Sequence, residues 1–255
     1  MSHPLKTFYK EKLKIEVYES ENDTGIAAAS HVSDVIRKAI NERGTANLIL
    51  ATGTSQLSFI EELKKKDIEW DRITVFHLDE YKGMSENHPA SFRKYLKERI
   101  LDIVNPGRVY LINGDSSDLD AEIKKYARLL EENPVDIACI GIGENGHIAF
   151  NDPPVADFND PFLVKVVELD EACRRQQLGE GWFPSLDNVP VEAVTLTITA
   201  IMNCKSISCV VPGKRKAEAV KNTLNMEIST SCPASVLRKH PDALLFIDSE
   251  AASEI

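Results

Sequence analysis

Cysteine is scarce in this chain. The five present, Cys139, Cys173, Cys204, Cys209 and Cys232, are odd in number, widely spread and without CxxC spacing, so neither a disulfide framework nor a zinc site is suggested. No apolar run approaches the roughly 18 residues that a membrane span needs. The first fourteen residues are charged and lack the apolar core of a secretory leader. A cytoplasmic protein with no membrane partner is therefore expected. Positive charge is also in deficit: Lys and Arg number 30 against 40 Asp and Glu, a net charge of −10. Such a surface repels nucleic acid unless a local basic patch overrides the average. HExxH, GxSxG, GxxxxGK[ST] and clustered Asp/His ligand sets are missing too, which leaves zinc hydrolysis, serine acyl transfer and P-loop ATP use without support. No metal and no cofactor are expected. There is no internal repeat and no low-complexity tract.

What is present is enough apolar material for a full core, 43% of 255 residues, in a length that suits one large α/β domain spanning 1–255. Short β-branched runs alternate with longer amphipathic stretches, the mark of a parallel sheet covered by helices. Seven strands are expected: 13–18, 46–51, 73–78, 108–112, 136–142, 206–211 and 243–248. Helices are expected over 24–43, 56–66, 89–103, 118–132 and 214–224. In the first of these, Ile26, Ala29, Val32, Val35, Ile36 and Ala39 recur at helical spacing. The fold expected is α/β, a single-domain, doubly wound, mostly parallel seven-stranded Rossmann-like sheet with helices on both faces. From 151 to 190 the rhythm breaks, with five prolines and one strand-like run, 163–169. This segment reads as an irregular insertion or lid over the carboxyl edge of the strands.

Gly141, Gly143 and Gly146 match GxGxxG directly after an expected strand. A dinucleotide site requires a helix to start at those glycines so that its N-terminus holds the pyrophosphate. Here His147, Pro153 and Pro154 follow instead, and the prolines oppose a helix. The glycines suit a tight turn that carries Asn145 and His147 to the sheet edge.

In open parallel sheets ligands bind beyond the carboxyl ends of the strands, and four strands end suggestively. Thr52-Gly53-Thr54-Ser55 precedes a helix, offering backbone N–H groups and hydroxyls to a phosphate; the plainer reading is a Thr/Ser helix cap. Lys214-Arg215-Lys216 places three cations in a first helical turn, the end where positive charge is disfavoured unless an anion joins it; the plainer reading is solvated side chains. Asp79-Glu80-Tyr81 follows an apolar strand, where a partly desolvated carboxylate can act as a base, although either acid could instead cap the next helix or pair with a cation. Last, Gly143-Glu144-Asn145-Gly146-His147 leads to Asp152, an imidazole five residues ahead of an acid partner, able to give and take a proton. The remaining histidines, His3, His31, His77, His88 and His240, read as structural. A phosphate cradle, a strand-end carboxylate and a His/Asp pair together suit enolisation and ring opening of a phosphorylated sugar.

These residues resemble the glucosamine-6-phosphate deaminase and 6-phosphogluconolactonase superfamily over roughly 46–248. The similarity rests on Ala51-Thr52-Gly53-Thr54-Ser55, Leu78-Asp79-Glu80-Tyr81-Lys82-Gly83 with His88-Pro89-Ala90-Ser91-Phe92, Gly141 to Asn151, and Lys216-Ala217. Asp-Glu-Tyr followed by His-Pro-x-Ser-aromatic is the deaminase form; lactonases usually carry Asp-Glu-Arg. The resemblance implies conversion of glucosamine 6-phosphate and water to fructose 6-phosphate and ammonia. In that scheme Asp79 moves a proton between C2 and C1, and His147, supported by Asp152 and Asn145, opens the ring. Thr52, Gly53, Thr54, Ser55 and Lys216 would hold the phosphate. The alternative is a related sugar-phosphate isomerase or a lactonase-like hydrolase. A non-catalytic sensor would need neither base nor proton shuttle. A homo-oligomer is left open. Asp152 stands where glutamate is usual, so its reach to His147 is expected to need a water or a shifted loop. Asn145 takes a position that is aspartate in some members, and Gln56 one where proline is common. The phosphate-binding arginine expected just before Phe183 is Gly181 here, and Arg174 or Arg175 is the substitute the sequence offers.

Overall fold

The computed structural model describes residues 2–255. The chain runs β1 (Lys6–Lys10), β2 (Leu13–Tyr18), α1 (Glu21–Arg43), β3 (Ala46–Leu50), α2 (Leu57–Leu63), β4 (Ile73–His77), β5 (Asp79–Tyr81), α3 (Phe92–Leu96), α4 (Asp102–Val104) and β6 (Arg108–Val109). It continues through α5 (Leu119–Glu132), β7 (Ile137–Ile140), β8 (Val164–Glu168), α6 (Glu171–Gly179), β9 (Glu192–Leu196), α7 (Ile198–Met202), β10 (Ser206–Val210), α8 (Ala217–Asn225) and β11 (Ala243–Asp248).

The main sheet has eight strands in the order β1-β2-β11-β10-β7-β3-β4-β6. All its pairings are parallel except β1 with β2. Alternate side chains of the central strands enter different cores, as a pleat of period two requires. Ile49, Ala138, Ile140, Leu245 and Ile247 join one cluster with α5 and α8. Leu48, Leu50, Cys139, Leu244 and Phe246 join another with α1 and α2. Both faces are thus buried under helices, which is why these strands read as unbroken apolar runs. Helix α1 starts where the Ser20 hydroxyl accepts from the Asp23 amide at 3.2 Å and stops at Gly44, whose N–H returns to the Ile40 carbonyl.

All seven expected strands lie in this sheet, and the eighth is β1. Its sequence, Lys-Thr-Phe-Tyr-Lys, is too polar to signal burial, because an edge strand has one ladder partner and much open surface. At the other edge β6 keeps only Arg108 and Val109 in the ladder, both exposed.

A second correction concerns 151–190. The segment carries β8 and α6; it is not irregular throughout. With β5 and β9 it builds a three-stranded antiparallel sheet in the order β5-β9-β8. Tyr81, Phe92, Phe150, Val167, Leu169, Cys173 and Phe183 pack that sheet onto α6 in a core of its own. Only Leu78 separates β4 from β5, so the chain leaves the parallel sheet and enters the antiparallel one within a single residue. Asp79 is the first residue after that transfer.

Candidate active site

The order in which strands are added to the main sheet reverses between the parallel neighbours β3 and β7: β3, β4 and β6 step outward one way, and β7, β10 and β11 the other. Loops leaving a sheet on either side of such a switch diverge and open a crevice. The four expected site strands, β10, β7, β3 and β4, are consecutive neighbours across it. A cleft of about 610 Å³, counted to its open mouth, lies at their carboxyl ends and is lined by Thr52, Gly53, Thr54, Ser55, Asp79, Gly143, His147 and Lys216. Every residue expected to bind phosphate and two of the four expected to act chemically therefore share one hollow. The other two, Asp152 and Asn145, stand behind His147 rather than in the wall.

Asp79 is 7% exposed, and its carboxylate has no hydrogen-bond partner among the described residues. Burial, with a smaller contribution from the adjacent Glu80 charge, pushes its pKa well above the ordinary carboxylate value. A base so disposed binds a proton strongly and has nothing but a ligand to share it with. Glu80 has the opposite fate. It accepts from the Ser91 hydroxyl at 2.8 Å, from the amides of Tyr81, Phe92 and Arg93, and from Arg93 Nε at 3.2 Å. Glu80 is the acid that caps α3 and pairs with a cation; Asp79 is the one left facing the cleft.

His147 is held by its own loop. Nδ1 lies 2.8 Å from Asp152 Oδ1, although the ring N–H is poorly aimed at that oxygen and makes no well-aligned hydrogen bond. Asn145 Nδ2 donates to the same Oδ1 at 2.9 Å, and Asn145 Oδ1 accepts from the His147 amide at 3.1 Å. The shorter acid thus reaches the ring directly, and the water or shifted loop expected for it is not required. Complete burial would raise Asp152, but its contacts with His147, Asn145 and Cys173 outweigh that and hold it below the usual range. Gly143 makes the arrangement sterically feasible: a β-carbon there would stand 2.1 Å from the imidazole Cε1.

The anion end is formed by two loops of similar build. Gly53, at φ 102°, opens a 3-10 turn over Thr54–Gln56, and Tyr95 donates its hydroxyl proton to the Gly53 carbonyl at 2.9 Å. Gln56, in place of proline, is buried and donates to Ser55 Oγ and to the Val210 carbonyl, tying the β3 loop to the end of β10. Across from it Lys214–Lys216 forms the matching turn into α8. Lys216 is partly buried, and burial lowers its pKa against the pull of Glu144 and Glu180.

Sequence reasoning missed the wall opposite. Gln176, Gln177 and Glu180 of the α6 region line the cleft. Tyr81 donates its hydroxyl proton to Gln177 Oε1 at 2.8 Å, while Gln176 accepts from the Glu144 amide at 2.9 Å. Their spacing of three and four residues after the Asp170 cap was the available signal, hidden inside a proline-rich segment. The substitution expected from Arg174 or Arg175 does not occur. Arg174 donates to the carbonyls of Leu186 and Val189, and Arg175 pairs with Glu171 at the surface. The histidines read as structural include His77, whose Nε2 accepts from the Ile112 amide; burial, helped by Arg93, lowers its pKa to about 3. As for metal donors, His147, Asp152 and Cys173 lie within 4.8 Å of one another among the described residues. Burial pushes the Cys173 thiol well up, so this set would have to give up a firmly held proton before binding an ion.

Residues 19–168 match the family described as glucosamine-6-phosphate isomerases/6-phosphogluconolactonase. A glucosamine-6-phosphate deaminase of Bacillus cereus is 38% identical over 219 residues, 86% of this chain and 82% of its own. The chain belongs to this family. A Bacillus thuringiensis deaminase matches to the same extent, 38% over 219 residues. Among solved structures, a monomeric glucosamine-6-phosphate deaminase of the NagB superfamily aligns with a TM-score of 0.87 at 34% identity, covering 94% of this chain and 99% of that one. A 6-phosphogluconolactonase of Shewanella baltica aligns at 0.77 with 18% identity, over 92% and 97% of the two chains, and shows the shared family fold. No helix among the described residues is long and apolar enough to cross a membrane.

Proposed function

We propose that this protein is an isomerising deaminase that converts glucosamine 6-phosphate and water to fructose 6-phosphate and ammonia. The phosphate rests on the amides and hydroxyls of Gly53, Thr54 and Ser55 and on the Lys216 ammonium. His147, braced by Asp152 and Asn145, exchanges a proton with the ring oxygen and opens the pyranose. Asp79 takes the C2 proton of the open aldehyde, leaving an enolamine, and returns a proton to C1 to give the C2 imine. Water adds to C2, ammonia departs, and the ketose phosphate remains. The net reaction consumes one water. No step asks for a metal or cofactor.

The observation that carries this reading is the unpaired, buried Asp79 carboxylate opening onto the same cleft as His147 and Lys216. Binding alone needs no such base, and lactone hydrolysis needs no proton exchange at C2. Purified protein incubated with glucosamine 6-phosphate in deuterated water should release ammonia and fructose 6-phosphate and carry deuterium into the product at C1. The lactonase alternative predicts hydrolysis of 6-phosphogluconolactone instead. Absence of turnover above a His147→Ala control would defeat the deaminase reading. Function as a self-contained single domain in the cytoplasm, with or without self-association, accords with this chemistry; sedimentation of the purified protein would decide its assembly state.

A further inference from the structure

The anion end of the cleft is short of positive charge. Lys216 is the one Lys or Arg in the lining among the described residues, and Glu180 lines the same hollow. Its Oε2 comes within 3.8 Å of where a β-carbon on Gly53 would stand, beside the loop that offers its amides. A phosphate monoester brings a charge of about −1.5 to −2 at neutral pH. One ammonium beside one carboxylate does not neutralise it.

A second hollow adjoins the first and shares Thr54, Ser55, Glu180 and Lys216 with it. Among the residues it adds are Arg215 and Glu144. The Arg215 guanidinium pairs with Glu144 at 2.7 Å, with side-chain exposures of 60% and 36%. It lies against Gly179, where a β-carbon would be 3.2 Å from Nη2, so a larger residue there would crowd it. An exposed pair of this kind is weak and exchanges readily. Arg215 also belongs to the turn that starts α8, where the helix dipole disfavours a cation until an anion arrives.

We infer that Arg215 is a phosphate-binding residue, parked on Glu144 while the cleft is empty and exchanging that carboxylate for the ligand's phosphate oxygens when they seat on the Gly53–Ser55 loop. A guanidinium matches two phosphate oxygens in a way one ammonium does not. Glu144 then sets the strength of phosphate binding by competing for the same fork. The identity of the phosphate as part of an amino sugar rests on the proposed function, but the role of Arg215 does not require turnover.

The test uses the full chain, with inorganic phosphate as the probe in calorimetry and glucosamine 6-phosphate in steady-state kinetics. Arg215→Met should weaken phosphate binding about tenfold or more, the scale of a lost charge-assisted hydrogen bond. It should raise KM by a similar factor and leave kcat within about threefold, because the group acts on binding rather than on the reacting carbons. Arg215→Lys should recover part of the loss. Glu144→Gln should act with the opposite sign, tightening phosphate a few-fold, an outcome a purely structural ion pair does not give. The inference is overturned by an Arg215→Met protein with parental thermal stability and unchanged phosphate affinity. It is overturned equally by a parent with no saturable phosphate binding, or by a Glu144→Gln protein that loses affinity as Arg215→Met does. If phosphate binding behaves as expected while no amino sugar is turned over, the proposed reaction fails and Arg215 keeps its role.

Discussion

The strand end after β4 brings one buried aspartate to the cleft and the loop after β7 sets another behind the cleft's histidine, and the two are held in opposite electrostatic states. Asp79 has burial and a neighbouring acid acting on it and no partner, so its pKa is driven up. Asp152 is buried as deeply, but His147 and Asn145 face it and its pKa is driven down. Burial by itself does not decide what a carboxylate does; the partners it is given do. Pushing two acids apart in this way separates a group that can move a proton from one that keeps an imidazole in place.

That contrast can be broken most severely at Asp79. Asp79→Asn should lower kcat by about 10²–10⁴, the usual contribution of a general base, measured as ammonia release. The same change should stabilise the fold. A carboxyl whose folded pKa is raised binds its proton more tightly when folded, so it costs nothing well below the unfolded value of about 3.9; stability is lost as pH rises from there through the folded pKa. The gain for Asp79→Asn should therefore grow as pH rises above about 4 and shrink as pH falls toward it. It should appear as a thermal midpoint about 2–4 °C higher per kcal/mol relieved. A variant no more stable than the parent at pH 7 would mean that Asp79 has a partner after all.

Gly143→Ala tests the other side of the cleft without touching an ionisable group. Its β-carbon would meet the imidazole, and the displaced ring should cost about 10²-fold in kcat with KM nearly unchanged. Asp152→Asn should cost less, roughly tenfold, because Asn145 still fixes the loop through the His147 amide. Its stability effect has the sign opposite to that of Asp79→Asn. A depressed carboxylate stabilises the fold above the unfolded value and loses that contribution as pH falls through the folded one, so Asp152→Asn should be destabilising at pH 7 and progressively less so in acid. The smallest change in turnover is expected from Glu80→Gln. It leaves Arg93 with the partly exposed Asp115 as its remaining ionic partner and should cost roughly 2–4 kcal/mol of stability, with kcat per folded molecule within a few-fold of the parent. Loss of activity as large as at Asp79 would mean that the two neighbouring acids share the chemistry.

Much of this arrangement was legible in the linear chain. Ala46–Leu50, Ile73–His77, Ile137–Ile140 and Ser206–Val210 are apolar runs ending in polar residues, and that signature survives because both sheet faces are covered. The edge strands were harder, since β1 and β6 bury too little to leave a pattern. The wall formed by Gln176, Gln177 and Glu180 was not legible. Strand β5 has three residues, below the length at which alternation can be seen, so the place of 151–190 over the strand ends was legible but not the sheet and helix that turn these three side chains into the cleft. The reach of Asp152 to His147 was also misjudged, because residue type alone does not tell how close a glycine lets a ring approach.

The sequence by itself determined the alternating layers, the loops at the strand ends and the residue types able to hold a phosphate and move a proton, because hydrophobic period and backbone preference are local properties. Only the tertiary structure decided which of two adjacent acids stays free, that Arg174 is spent on backbone carbonyls and that Arg215 pairs with Glu144. Each of those outcomes depends on partners brought in from elsewhere in the chain, and a charge acquires its role from what is packed against it.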